Sequence, residues 1–487
     1  VINIGSTQYD VIVIGGGLGG LTAGAKLAKE GKQVLLLEQH DRPGGCATTF
    51  RRKGFTFEVG LHEMDGMDGR DMKTRVFRDL GVLDLCTFLT VPEFYRFVNG
   101  RHDIVVSHDP EETAAELCRH FPDEKKGITA YFDRIMNARK WMKESAGAEE
   151  STIGDFLDSV INDEDLKLVL LGNLGYFHDD PYSLSLNYYA MAQGSYYRGG
   201  GLYIQGGSQC LSNALASTIE KHGGRVLLNH AATGIRIESG RAAGVDYTRS
   251  GGDTGTGETA NGKVIVANAA IPAVAEDLLP ESVSGPLKKD VARRELGASL
   301  LTVYFGFNRP LNEAGSTHYS TFIYDESVKS QSDIRENNRG AFERRSFTFV
   351  DYSRVDARLA PEGKSVGALC CIDYLPDWEG LESAAYGKKK EEVARVFMER
   401  LESLIPGFRD AVEYYEVGTP KTVHRYTSNP GGAVYGFAQT PERAALGEID
   451  GIDNLYYASA WTRTGGGFSG ALMSGYLCAL TILRKKQ

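Results

Sequence analysis

Cysteine is sparse and unpaired in this chain of 487 residues: the seven, Cys46, Cys86, Cys118, Cys210, Cys370, Cys371 and Cys478, form no C-x-x-C pair. An odd, scattered set predicts reduced thiols in a cytosol-like compartment and excludes the spacing of a zinc site. The ten histidines contain no H-x-x-x-H pattern, so no metal is expected. No apolar run reaches the length that crosses a bilayer, and the opening residues lack the basic and then apolar order of a signal peptide. The expectation is a cytoplasmic protein whose membrane contact, if any, is peripheral. Positive charge is also short: 54 Lys and Arg against 64 Asp and Glu give a net charge of -10, which argues against a nucleic-acid partner. The lysine run at 388–390 falls in a predicted solvated helix. Internal repeats and low-complexity tracts are missing.

Glycine, in contrast, is concentrated where a strand hands over to a helix, in "DVIVIGGGLGGLTAGAKLAKEGKQVLLLEQHDRPGG" from Asp10 to Gly45. Tyr9 and Val11 to Ile14 read as a strand buried on both faces, Leu18 to Glu30 as a helix stopped by Gly31, and Gln33 to Leu37 as a second strand closed by Glu38. In that order Gly15 permits the tight turn, Gly17 removes a side chain that would hold a pyrophosphate away, and Gly20 lets helix and strand pack closely. The pyrophosphate would sit on the helix amino end, and Glu38 would accept hydrogen bonds from a ribose diol. A 2′-phosphate would be repelled there, which disfavours NADP.

Further along, Val76 to Leu83 predicts a short helix, and "EFYRFVNGRHDIVVS" two strands around the turn at Asn99 and Gly100. A helix-rich region then runs to about Tyr197, with helices over Glu111 to Phe121 and Lys126 to Lys143. Its segment "LKLVLLGNLGYF", Leu166 to Phe177, reads as buried core or the lip of a greasy pocket. Ser208 to His222 predicts another helix, and "TGIRIES" and "AAGVDY" strands around Ser239 and Gly240. The polar stretch "TRSGGDTGTGETANG" reads as a hairpin turn before the strand "KVIVANA", so no separate NAD(P)H domain is visible. From Leu296 to Val417 the pattern favours antiparallel strands, "SLLTVYFGF", "SFTFVDYS" and "SVGALCCIDYL", followed by a helix near Glu391 to Leu404.

The end of the chain repeats the logic of its beginning. In "NLYYASAWTRTGGGFSGALMSGYLCALTIL", Leu455 to Ala458 is a short strand, glycines follow, and Ser469 to Leu483 is a helix whose amino end is again open to a ligand. Two such ends favour one long ligand. FAD fits, with adenosine and pyrophosphate at the first unit and the isoalloxazine ring at the last helix.

These blocks, together with "FTFEVGLH", "YIQGGSQCLSNAL" and "GTPKTVHRYTSNPGGAVYGFAQTP", resemble the FAD-dependent family of phytoene desaturases, carotenoid isomerases and retinol saturases, related more distantly to flavin amine oxidases. The resemblance covers essentially the whole chain. It implies an α/β fold in which a Rossmann-type FAD-binding domain (1–75, 198–290 and 418–487) is interleaved with a mixed-sheet plus helical substrate domain (76–197 and 291–417). It further implies that Gly15, Gly17, Gly20, Glu38 and Gln39 hold the adenosine half of FAD, with Arg42, Gly44 and Gly45 near the pyrophosphate and ribityl chain. Backbone near Ala232 would meet the adenine, and Ala460, Trp461, Gly467, Gly470 and Ala471 would lie along the flavin. Three positions depart from the family pattern: Glu58 for a common Asp, Ser459 for Gly and Thr464 for Pro.

The implied activity is oxidoreduction or isomerisation at carbon-carbon double bonds of an apolar polyene or isoprenoid. Amine oxidation and a non-catalytic flavoprotein or lipid carrier are the competing readings. Phe94, Tyr95, Tyr188, Tyr189, Tyr196, Tyr197 and Tyr203 are candidates to line an apolar pocket, and His62 and Tyr203 to serve the proton step.

Overall fold

The strand Gln8–Ile14 lies inside a seven-stranded sheet, flanked in parallel by Val34–Leu37 and by Glu258–Ala267. A computed structural model describes residues 8–69, 71–145, 147, 150–251, 257–445 and 452–485. Arg225–Leu227 extends the parallel part beyond Val34–Leu37, and Leu455–Tyr457 adds to the end of Glu258–Ala267. The apolar runs "VIVI" and "VLLL" are buried throughout: Val11, Val13, Val34 and Leu36 pack with the helices Leu18–Lys29, Gln209–Lys221 and Gly467–Arg484, and Ile12, Ile14, Leu35 and Leu37 with antiparallel strands and apolar residues between 270 and 287. An antiparallel ribbon, His230–Glu238 and Arg241–Arg249, completes the sheet.

A second seven-stranded sheet runs in the order 412–418, 299–307, 365–373, 347–351, 320–323, 95–98, 103–106. Its pairs are antiparallel except Ser320–Ile323 with Tyr95–Val98. The helix Ser383–Leu404 covers one face, setting Val393, Phe397 and Leu401 against Phe305, Phe307 and Trp378. A helical layer between Pro110 and Gly199 packs its own aromatic core against Tyr95, Phe97 and Phe322. One continuous apolar cluster joins the two sheets through Val13, Leu36, Phe57, Tyr203, Tyr304 and Val350.

Several elements differ from expectation, each for a local reason. The helix expected at 76–83 is Met72–Asp79, because the Asp71 carboxylate caps it by accepting from Thr74 N at 2.9 Å and Gly81, at φ 73°, ends it. The helix expected over 126–143 breaks at Asn137, whose amide donates to Asp133, giving Lys125–Met136 and Ala138–Glu144. The helix expected from Glu391 begins at Ser383. Residues 258–262, read as loop, are strand: across the ribbon Tyr247 donates to Glu258 at 2.9 Å, Thr259 donates to Asp246 at 2.6 Å, and Ala260 is buried. Residues 252–256 of the expected hairpin turn lie outside the described residues. Among the described residues no helix is long and apolar enough to cross a membrane.

Candidate functional site

The parallel strands end together, and the glycine loop stands over their carboxyl ends, where open α/β sheets bind ligands. Gly15 has φ 94°, and a β-carbon there would stand 2.7 Å from the Asn268 carbonyl oxygen; one on Gly20 would stand 2.2 Å from Gly15 O. Gly17 is the N-cap of the helix Leu18–Lys29, and no side chain among the described residues caps that first turn, which leaves its amides for a ligand. Gly44 N donates to Gly16 O at 2.7 Å, and Gly45 lies against the Cα of Gly17, so the second glycine pair closes over the first. The Glu38 carboxylate accepts from Gly16 N at 2.7 Å and His40 N at 2.9 Å. Burial raises its pKa against those hydrogen bonds. Gln39 follows it, with its amide 3.5 Å from His40 Nε2. His230 N donates to Glu38 O at 2.8 Å, which brings the backbone leading to Ala232 alongside. Arg42 donates to Thr49 O at 3.1 Å and pairs with Asp41.

Asn268, at the end of "VIVANA", was not singled out from sequence. Its Nδ2 donates to Gly15 O at 3.0 Å and so fixes the turn. Glu58 was singled out only as a departure. It is buried and ties three segments together, accepting from Ser208 N at 2.7 Å, Ser208 Oγ at 2.6 Å and Leu61 N at 3.2 Å. Burial outweighs these bonds and lifts its pKa to about 7.

The helix Gly467–Arg484 has Gly466 as N-cap and, again, no side chain among the described residues capping its first turn. Gly467, at φ 74°, has open space where a β-carbon would go, and Gly470 packs against Gly465 O, where a β-carbon would come within 2.5 Å. Ala471 is half-buried in the same helix. Ala460 O meets Gly436, where a β-carbon would lie 2.6 Å away. The Trp461 ring turns into the core, edge-on to Phe437 at 4.9 Å. Its amide donates to Ser459 Oγ at 3.3 Å.

A cavity of about 930 Å³ opens beside Gly467 and Gly470. Its walls include Tyr176, Phe177, Tyr188, Tyr196, Phe322 and Tyr435. Of the seven rings proposed from sequence, Tyr188 and Tyr196 line it. Phe94, Tyr95, Tyr189, Tyr197 and Tyr203 are instead buried in the packed cores, Phe94 stacked behind Tyr196 at 4.9 Å. Of the segment Leu166 to Phe177, the leucine-rich first half is buried core, and Gly172, Leu174, Gly175, Tyr176 and Phe177 line the pocket. Phe322 and Tyr435 carried no sequence signal beyond being aromatic.

His62 lines the cavity, with Nδ1 3.1 Å from the Tyr176 hydroxyl, and burial drops its pKa to about 4. The imidazole is therefore neutral near pH 7. The Tyr319 hydroxyl donates to its carbonyl oxygen. Tyr203, the other candidate for the proton step, does not join it: the ring is fully buried, its hydroxyl has no hydrogen-bond partner among the described residues, and it lies outside the cavity wall. At the glycine end of the cavity, Asp65 accepts from Lys73 at 2.8 Å, Ser195 at 2.5 Å and Ser469, which anchors the last helix to the strand Met64–Asp65. Among the described residues no cluster of three or more His, Cys, Asp or Glu is placed to hold a metal ion.

These features fit a flavin dinucleotide: two uncapped helix starts, glycines where side chains would intrude, and a tricycle-sized space beside the second start. Comparison with known proteins agrees. Prolycopene isomerase 2 of an Oncidium hybrid cultivar, a chloroplastic protein, is 28% identical over 508 residues, covering 97% of this chain and 83% of its own. All-trans-retinol 13,14-reductase of Danio rerio is 26% identical over 531 residues, covering 98% and 86%. Among solved structures, a redesigned putrescine oxidase shares the fold with a TM-score of 0.67 at 14% identity, covering 98% of this chain and 99% of its own. An oxidoreductase from Methanosarcina mazei does so at 0.65 and 17%, covering 98% and 100%. The model of the family described as flavin containing amine oxidoreductase matches residues 18–483. The chain therefore belongs to the flavin containing amine oxidoreductase family, and is an oxidoreductase whose cofactor is FAD.

Proposed function

We propose that this enzyme acts on carbon-carbon double bonds of an extended apolar polyene or isoprenoid, by desaturation, saturation or geometric isomerisation. The observation that carries the reading is the cavity of about 930 Å³ walled by aromatic rings next to Gly467 and Gly470. Such walls suit a conjugated hydrocarbon. Two carboxyls of the wall make poor partners for an ammonium: Asp65 is already occupied by Lys73, Ser195 and Ser469, and burial pushes the Glu63 carboxyl well up, toward its neutral form. The relatives named as prolycopene isomerase and retinol reductase support the same choice over amine oxidation.

In this reading Gly15, Gly17, Gly20, Glu38, Gln39 and the backbone near Ala232 hold the adenosine half of FAD. Arg42, Gly44 and Gly45 meet the pyrophosphate and ribityl chain; Ala460, the Trp461 backbone, Gly467, Gly470 and Ala471 lie along the ring. The two sheets divide the labour in the segments expected from sequence, 1–75, 198–290 and 418–487 for cofactor, 76–197 and 291–417 for substrate. Bound FAD supplies hydride exchange with carbon. The protein aligns the polyene, excludes water and handles the proton. His62 and Tyr176 serve that last role: the neutral imidazole and the hydroxyl share one hydrogen bond, and both line the cavity. The protein works in a reducing compartment such as the cytoplasm, in keeping with its free cysteines, and meets membranes only peripherally.

The test is the absorbance of bound flavin under anaerobic titration. Polyenes should perturb or reduce it, and simple alkyl or polyamines should leave it oxidised. Reduction by an amine, with hydrogen peroxide formed on admitting air, would instead establish amine oxidation.

A further inference from the structure

Two residues of the cavity wall carry buried polar atoms that a pure hydrocarbon would leave unpaired. Among the described residues, Glu63 and His178 both line the cavity and hold buried side-chain atoms with no hydrogen-bond partner. Such groups are costly to keep dry and unpaired. Glu63 turns its carboxyl away: Oε2 packs on the strand Gly201–Ile204, where a β-carbon on Gly201 would stand 2.3 Å from it, and Gly201 is not part of the wall. His178 is the one left to meet a ligand.

The His178 side chain is 4% exposed, and its amide donates to Leu174 O at 3.0 Å, which holds it at the end of the turn Leu174–Tyr176. Its Nδ1 lies 3.0 Å from Asp179 Oδ1 and 3.1 Å from the Asp180 amide nitrogen. Asp179 also accepts from the Tyr374 hydroxyl, and Asn338, another wall residue, donates to its carbonyl oxygen at 3.0 Å. Burial opposes the charge of Asp179, but the hydrogen bonds from His178 and Tyr374 outweigh it and hold the carboxyl at a pKa of about 2. An ionised carboxylate is a stronger partner for Nδ1 than a backbone amide is, so Nδ1 carries the ring proton and gives it to Asp179. Nε2 is then an acceptor without a donor.

That requirement selects among substrates. An ether or carbonyl oxygen would set lone pair against lone pair, and a carboxylate would add repulsion from Asp179. A hydroxyl donates. We propose that His178 Nε2 accepts a hydrogen bond from a hydroxyl of the substrate, with Asp179 positioning the ring, so that the enzyme prefers alcohols of polyenes or isoprenoids to the parent hydrocarbons. The inference rests on the polyene reading for the carbon skeleton, but its test reads binding and needs no turnover.

The FAD-loaded enzyme is titrated in a single detergent with geraniol, geranylgeraniol, all-trans-retinol and zeaxanthin, each beside its methyl ether, its deoxy hydrocarbon and its amine, and the absorbance of bound flavin is followed. For at least one skeleton the alcohol should bind about tenfold to hundredfold more tightly than the ether or hydrocarbon. His178→Phe, checked for retained FAD, should abolish that preference and leave the hydrocarbon bound as before. His178→Gln, whose amide oxygen accepts in place of Nε2, should restore most of it, and Asp179→Ala should reduce it without a matching loss for the hydrocarbon. A merely structural role would weaken all ligands alike. Equal binding of alcohol, ether and hydrocarbon in every set, binding of none of the alcohols, tighter binding of an amine than of its alcohol, or a preference that survives His178→Phe would overturn the proposal. Should His178→Phe lose its fold, the ligand series on the unaltered enzyme decides by itself. If alcohols are preferred as expected but no double bond reacts, the hydroxyl subsite stands and the reading of the reaction fails. If hydrocarbons bind and react as well as their alcohols, the reaction stands and the subsite fails.

Discussion

Gly475, midway along the last helix, packs on the carbonyl of Gly19 in the first turn of the first helix, so closely that a β-carbon at 475 would stand 2.1 Å from that oxygen. The contact joins the beginning and the end of the chain. Gly467 lies eight residues before Gly475, about 12 Å along the helix at 1.5 Å per residue. One ligand can therefore touch both uncapped helix starts. Gly475→Ala should force the helices apart, lower stability by about 1–3 kcal/mol and weaken FAD retention. Thermal unfolding with and without added FAD measures both; an unchanged protein would mean the helices can separate freely.

Glu38→Ala removes the acceptor for Gly16 N and His40 N. Leaving such buried donors unpaired costs about 1–3 kcal/mol, and the ribose contact proposed for Glu38 is lost as well. FAD affinity of the apoprotein should fall about tenfold to hundredfold, with Glu38→Gln in between. Titration of apoprotein by flavin fluorescence quenching decides it.

Glu58 gives a pH signature. Its pKa is lifted from the ordinary 4.5 to about 7, so between those values the folded state holds a proton that the unfolded state has lost. Stability from this group is full below about pH 4.5 and declines as pH rises through 7, by about 3 kcal/mol at most. Chemical denaturation at pH 5 and pH 8 should show that decline, and Glu58→Gln should flatten it.

His62 is held neutral, with a pKa of about 4. Activity that needs the neutral imidazole should persist from pH 8 down to about 5 and fall only below that. His62→Phe should slow turnover by about a hundredfold or more while FAD stays bound, and Tyr176→Phe should act in the same direction. Steady-state rates on FAD-replete variants provide the check, and unaltered rates would remove the pair from the proton step.

Much of the framework could be read from the chain because its signals are steric and periodic. Positions such as Gly15 and Gly20 admit no side chain, and the buried "VIVI" and "VLLL" strands need apolar cover on both faces. The cavity wall was far less legible. Tyr188 and Tyr189 are adjacent and identical in type, yet Tyr188 lines the cavity while Tyr189 donates to Leu170 O at 2.7 Å in the core. Neighbours on a helix differ by about 100° in direction, and only packing decides which one faces the ligand. Tyr203 was misplaced for a similar reason: a short strand after a glycine block resembles a site edge, but its ring turns into the core between the sheets. Asn268 escaped notice because its hydrogen bond to Gly15 spans 253 residues of sequence.

The most direct test of the account is anaerobic turnover of a polyene panel by the FAD-loaded enzyme, with and without a flavin reductant, read by product mass and double-bond geometry. The account predicts loss of two hydrogens, gain of two, or altered geometry at constant mass for at least one extended polyene. Polyenes recovered unchanged in every condition, while the bound flavin is reduced by an amine, would contradict it.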